Sequence, residues 1–261
     1  MDAGIRQVDD PGELVELYAP DRLVHPYGLA DLEEPFWSSS TWHRRGDAVV
    51  AVLDLGGDPA VYAIAADDTK AAATLELLAD LAPDLPDRFL ITGPVGVTGP
   101  LSATHEIEWV GPHVKMHLAD PSRLTDPDDR VEWLDRREAE EVIALRATDH
   151  DVSAFFVPEL LDSGHYGGIR VDGDLVAIAG VHVLSERYGV AAIGNVFTHP
   201  DHRGRGLASA LTATVAHRLL PLVPTVGLNV QTTNVAARTV YQRLGFVDVL
   251  PYEEAETRAI H

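Results

Sequence analysis

The chain has 261 residues, 46% of them hydrophobic, no cysteine, and a formal net charge of −21. That length sets an expectation of two domains of roughly 110 to 140 residues, and the missing cysteines exclude disulfides, thiolate nucleophiles and cysteine-ligated metals. So acidic a balance argues against a nucleic-acid partner, which needs a basic stripe. It creates a field that attracts cations such as amines, although a well-solvated surface is the plainer reading. No apolar run reaches membrane-spanning length, and the start Met1-Asp2-Ala3-Gly4 lacks a basic region ahead of an apolar one. The expectation is a cytoplasmic protein with no membrane partner.

Residues 1–35 read as one or two helices interrupted by Pro11, Pro20, Pro26 and Pro35. Two strands follow, Asp47 to Leu55 and Ala60 to Ala66, around the turn cluster Gly56-Gly57-Asp58-Pro59. Thr69 to Leu81 has helical spacing, with Leu75, Leu78 and Ala82 on one side. Arg88 to Thr92 is a short strand, Gly93 to Pro100 a turn, and Trp109 to Leu118 another strand. His105-Glu106 resembles the start of a two-histidine zinc helix, but position 109 is Trp, and no third ligand stands near His113 and His117. No metal is expected.

The polar, proline-containing stretch 119–130 reads as a linker between an N-terminal domain, 1–118, and a C-terminal one, 131–261. Asp135 with Glu138 forms a capping-box pattern at the start of a helix reaching about Thr148, and Ala154 to Leu161 reads as a shorter helix. Strands at Tyr166 to Val171 and Leu175 to Leu184 flank Asp172-Gly173, a hairpin signal. A buried strand, Val190 to Phe197, stops at Pro200. Arg203-Gly204-Arg205-Gly206 then leads into a helix whose apolar residues recur at Leu207, Ala210, Leu211, Val215 and Leu219. A glycine-rich turn at a helix N-terminus is a phosphate cradle, because unpaired amides and the helix dipole both favour an anion. A P-loop is excluded because no Lys-Ser/Thr follows the glycines, and a dinucleotide fingerprint because position 209 is Ser. One strand later, Asn234 stands at a helix N-cap ahead of Ala237, Val240, Tyr241 and Leu244, and Gly245-Phe246 ends the helix and opens a strand.

Arg203-x-x-Gly206-x-Ala208, followed by Asn234-x-x-Ala237-x-x-x-Tyr241-x-x-x-Gly245-Phe246, resembles the two motif blocks of the GNAT superfamily of N-acetyltransferases. The resemblance implies an α/β (α+β) fold, a mixed central sheet flanked by helices, over residues 131–261. The N-terminal half repeats the strand, strand, helix, strand order as a degenerate copy. Its counterpart loop, Ala65-Ala66-Asp67-Asp68-Thr69, carries carboxylates that would repel a pyrophosphate. This layout is similar to tandem GNAT proteins such as those that resemble glycine N-acyltransferases.

By the same resemblance, acetyl-CoA is the co-substrate. Val196, Phe197 and Thr198 would pair with its pantetheine arm. Arg203, Gly204, Arg205, Gly206, Leu207, Ala208 and Ser209 would hold the pyrophosphate, and Asn234 would contact the cofactor or simply cap its helix. Tyr241 would protonate the departing thiolate, or be a core tyrosine at helical spacing. Many relatives carry a base Glu on the strand before the loop, but Val190 to Phe197 has no carboxylate, and Asn195 is its only polar side chain. His182, Glu186, Tyr188 and a water chain all remain candidates for that role. The implied function is acetyl transfer to a primary amine of a small molecule or peptide by a monomer or homodimer. The alternative is a non-catalytic acyl-CoA-binding module.

Overall fold

A computed structural model describes residues 4–54, 56–149 and 156–260. The early prolines start helices rather than only breaking them. Pro11 and Pro26 open α1 (Pro11–Tyr18) and α2 (Pro26–Ala30), where the missing N–H has no intrahelical partner to lose. A short strand β1 (Arg6–Gln7) precedes them. Next come β2 (Ser40–Arg45), β3 (Ala48–Leu53) and β4 (Ala60–Tyr62). Leu55, the last residue of the expected Asp47 to Leu55 strand, lies outside the described residues.

Helix α3 (Asp68–Leu81) is capped by Asp67, whose side chain accepts from the Lys70 amide at 2.9 Å. Its buried face is Thr74, Leu77, Leu78 and Leu81; of the expected side, Leu78 and Ala82 are buried in the core and Leu75 packs at its margin. β5 (Arg88–Gly93) and β6 (His105–Leu118) follow. His105 and Glu106 therefore lie in a strand, and the His105 ring bonds the Thr104 hydroxyl and the Pro86 carbonyl.

The second half runs β7 (Glu132–Leu134), α4 (Ala139–Arg146), β8 (Tyr166–Val171), β9 (Asp174–Ser185), β10 (Val190–Thr198), α5 (Leu207–Leu219), β11 (Thr225–Gln231), α6 (Val235–Arg243) and β12 (Phe246–Ala259). The Asp135/Glu138 capping box is present and starts a 3-10 turn that continues into α4. Of the expected helix over Ala154 to Leu161, the first two residues lie outside the described ones, and Pro158–Ser163 is a 3-10 helix. Asp172 and Gly173 take φ of 54° and 96°, the left-handed pair that a tight hairpin needs.

Contacts group the chain into two units that do not follow sequence order throughout. The first is Met1–Lys115, Val230–Thr233 and Asp248–His261, and the second is Met116–Asn229 and Asn234–Val247. Most of β12 thus belongs with the N-terminal residues. It runs antiparallel to β5, from Glu253↔Gly93 to Arg258↔Arg88. In the first unit the strand order is β1-β2-β3-β4-β5-β12-β6, and in the second β11-β10-β9-β8-β7. The stretch 119–130 is fastened down: the Asp128 amide donates to Thr214 Oγ1 at 2.9 Å, and the His217 ring bonds the Thr125 carbonyl at 3.1 Å.

The first unit encloses polar groups. Lys115, 2% exposed, lies 5.2 Å and 4.9 Å from the ring centres of Tyr27 and Tyr252, and burial lowers its pKa to about 8. Asp31, 8% exposed, has its carboxyl pushed up to about 7 by burial, with Lys115 opposing that shift.

Candidate active site

Strand β10 pairs in parallel with β11 from Val190↔Thr225 to Ile193↔Leu228, and the register ends there. Gly194 to Thr198 therefore lie beyond the paired part, beside the gap that opens where the strands part. Phe197 is buried in the core with α4, while Val196 and Thr198 are half-buried. Thr198 Oγ1 is buried with no hydrogen-bond partner among the described residues.

At the end of β10, Pro200–His202 makes one 3-10 turn, and the His199 ring accepts from the Asp201 amide at 3.2 Å. Gly204 and Gly206 then take φ of 75° and 78°, a left-handed conformation that glycine adopts at little cost. A Cβ at either position would meet nothing within 4 Å, so the space in front of this backbone is open. Gly206 is the N-cap of α5 and offers no side-chain cap. The helical ladder begins with the Ala210 amide on the Gly206 carbonyl at 3.0 Å. Leu207, Ala208 and Ser209 therefore hold amides with no intrahelical acceptor, at the positive end of the helix dipole. Leu207 is buried in the core and anchors the turn, while Ala208 and Ser209 are half-buried.

The two loop arginines are both exposed and both tied down. Arg203 donates to the Thr198 carbonyl at 3.2 Å, pairs with Asp149, and lies over the Phe197 ring at 6.0 Å. Arg205 donates to the Asp201 carbonyl at 3.1 Å. These bonds brace the turn from its flanks. Asp149 carries no motif, and sequence reasoning missed it.

Asn234 caps α6, accepting from the Ala237 amide at 3.0 Å. Tyr241 is the buried residue of that helix, 6% exposed, with its ring 6.1 Å from that of Phe246. Its hydroxyl makes no hydrogen bond among the described residues. Burial raises its pKa, so the phenol stays protonated and able to donate at neutral pH.

The three side chains proposed as a base do not stand together. Glu186 and Tyr188 lie in the turn before β10, where the Tyr188 amide bonds Ser185 Oγ. The nine-residue strand spans on the order of 30 Å and ends at the loop. His182 alone lies at the parting of the strands. A Cβ on Gly194 would fall 2.5 Å from its ring. Burial lowers the His182 pKa to about 4, so the imidazole is neutral at pH 7.

Sequence reasoning also missed a hydrogen-bonded chain here. Arg146 donates to Asn195 Oδ1, and Asn195 Nδ2 donates to the Tyr166 hydroxyl at 2.9 Å. Asn195 had stood out as the strand's only polar side chain, but nothing in the sequence named its partners.

Residues 123–246 match the family model of the acetyltransferase (GNAT) family. They form a GNAT domain. A GNAT-family acetyltransferase from Novosphingobium aromaticivorans is 22% identical with a TM-score of 0.60, over 81% of this chain and 89% of that one. A Drosophila protein is 15% identical with a TM-score of 0.70, over 98% of each chain. A tandem GNAT protein from the clavulanic acid biosynthesis pathway is 14% identical with a TM-score of 0.55, again over 98% of each. At these identities the likeness is one of fold, and in the last two it extends past the GNAT domain to almost the whole chain. Among curated proteins, none matches the sequence. In the GNAT domain the Gly204 to Ser209 turn, the open side of β10, and α6 with Tyr241 all lie in the matched segment.

Proposed function

We propose that this chain transfers an acetyl group from acetyl-CoA to a primary amine of a small molecule or peptide. One observation carries the reading: an open, left-handed glycine turn feeds unpaired amides into α5 directly after β10 parts from β11. Such a turn favours a pyrophosphate, and a strand edge without a neighbour favours an amide-bearing arm beside it. The chain fits that co-substrate. The spaces in front of Gly204 and Gly206 are free, and Thr198 Oγ1 is a buried group without a partner among the described residues.

In this reading the amine nitrogen attacks the thioester carbon, and the carbonyl oxygen gains negative charge that a backbone N–H of Val196 to Thr198 stabilises. The C–S bond then breaks, the acetyl group stays on nitrogen, and the thiolate takes a proton from the Tyr241 phenol. The amine gives up its proton to solvent or a nearby base, and a proton from solvent returns to the Tyr241 oxygen, so that the turnover leaves amide, thiol and a neutral phenol. The degenerate loop of the first unit is read as silent, because Asp67 closes the start of α3 with its own carboxylate.

Incubation with acetyl-CoA and a panel of amines, followed by free-thiol release, tests the proposal. Thiol release that depends on an amine is the expected result. Tight acetyl-CoA binding with no release on any amine would leave the binding-module reading in its place. No binding at all would remove both.

A further inference from the structure

We infer that Asn195, clamped between Arg146 and Tyr166, is a positioning residue that holds the kink by which Val196–Thr198 face the gap beside β10. The inference rests on the proposed function and names what prepares its site. Gly194 pairs with Gly180 and Phe197 with Ile178, so Asn195 and Val196 together face the single residue Ala179. That is a β-bulge, and its extra residue re-aims every side chain after it. Because of it, Phe197 enters the core with α4 while Val196 and Thr198 keep part of their surface.

Asn195 takes φ of 50°, and among the described non-glycine residues only Asp172, in a hairpin turn, shares that left-handed region. Such a conformation in the middle of a strand persists only where the surroundings over-determine it. Here they do. The side chain is 4% exposed, with Oδ1 taken by Arg146 at the end of α4 and Nδ2 by the Tyr166 hydroxyl. The two ring side chains beside it are seated on glycines: the Tyr166 ring lies on Gly180, and the His182 ring on Gly194. The bulge follows within two residues of the last β10–β11 pair, so the clamp stands where the strands part.

Three variants test this. Asn195→Gly keeps the backbone conformation available but removes the side-chain bonds, those to Arg146 and Tyr166 among them. Asn195→Asp keeps an acceptor for Arg146 and can accept from the Tyr166 hydroxyl. Tyr166→Phe removes one end of the clamp at almost constant shape. The measurements are acetyl-CoA affinity by titration calorimetry, single-turnover CoA release with the best amine, and amide exchange over residues 194–198. The inference expects Asn195→Gly to bind acetyl-CoA within about threefold of the parent while transfer slows at least tenfold and the 196–198 amides exchange faster. Asn195→Asp should recover most of the rate, and Tyr166→Phe should fall between. A purely structural role would lower the denaturation midpoint but leave the rate per folded molecule unchanged, and that result overturns the inference. If the parent itself released no CoA, the proposed function would fail. Exchange would still decide the clamp, because parental protection in both Asn195→Gly and Tyr166→Phe would overturn it. Should Asn195→Gly not fold, Tyr166→Phe with parental rate and protection would do the same.

Discussion

Gly245 meets Asp120 backbone to backbone. The amides of Ala119 and Asp120 both donate to the Gly245 carbonyl, at 3.0 and 3.2 Å, and a Cβ on Gly245 would collide with the Asp120 carbonyl oxygen. Gly245 also takes φ of 95°. Gly245→Ala should therefore destabilise the second unit by more than about 2 kcal/mol, since left-handed strain alone is roughly 1–2 kcal/mol and the backbone must also move. Urea denaturation checks this. An unchanged midpoint would show that residues 119–120 yield easily.

Gly206 provides the contrast. It shares the positive φ, but a Cβ there touches nothing within 4 Å. Gly206→Ala should lower stability by only about 1–2 kcal/mol and weaken acetyl-CoA binding at least tenfold, because the methyl group would stand between the pyrophosphate and its amides. Calorimetric titration of the folded variant reads the effect. Parental affinity would end the cradle assignment.

Tyr241→Phe should slow acetyl transfer by about tenfold to a hundredfold while affinity for acetyl-CoA stays near parental. A general acid contributes roughly 10²- to 10⁴-fold, and a thiolate of ordinary pKa, about 8.5, needs the least help. Phe keeps the ring that packs against Phe246. An unchanged single-turnover rate would return Tyr241 to the core. A loss of affinity equal to the loss of rate would make the hydroxyl a binding group.

Titration with acetyl-CoA should give one site per chain. The β4–α3 junction presents Asp67, capping α3, and Asp68 in its first turn, where the second unit presents two glycines. A stoichiometry of two would mean that the first unit also binds.

Asp31 links stability to pH. Its carboxyl pKa rises from 3.8 to about 7 on burial, so the folded chain keeps a proton that the unfolded chain loses. Its contribution to stability is whole below pH 3.8 and is lost as pH rises towards about 7, by about 1.4 kcal/mol per unit. Asn cannot titrate. The stability of Asp31→Asn relative to the parent should climb across that window and level off above it. A difference independent of pH would show that Asp31 ionises freely in the folded chain.

The turn of Gly204 and Gly206, the Asp135/Glu138 box and the Asp172-Gly173 hairpin were legible in the sequence because each is a local device, set by residues within a few positions. The Arg146–Asn195–Tyr166 chain was not, since its members lie 20 to 49 positions apart and only the packing of β8, β10 and α4 brings them together. The same holds for Asp149, whose link to Arg203 spans 54 positions. The order of strands from β8 to Phe246 was legible, while the short β1, β2 and β7 and the partner of the last strand were not. An alternating strand states which face it buries and leaves open the edge on which it docks.

That last strand gives the molecule a temporal order. β12 lies between β5 and β6, so residues near position 90 wait for partners near position 255. On a ribosome the N-terminal residues of the first unit emerge with a slot in their sheet that only residues of β12 can fill. The earlier-made region thus waits for a later one, and a stop between residues 130 and 246 would strand it with two open β edges.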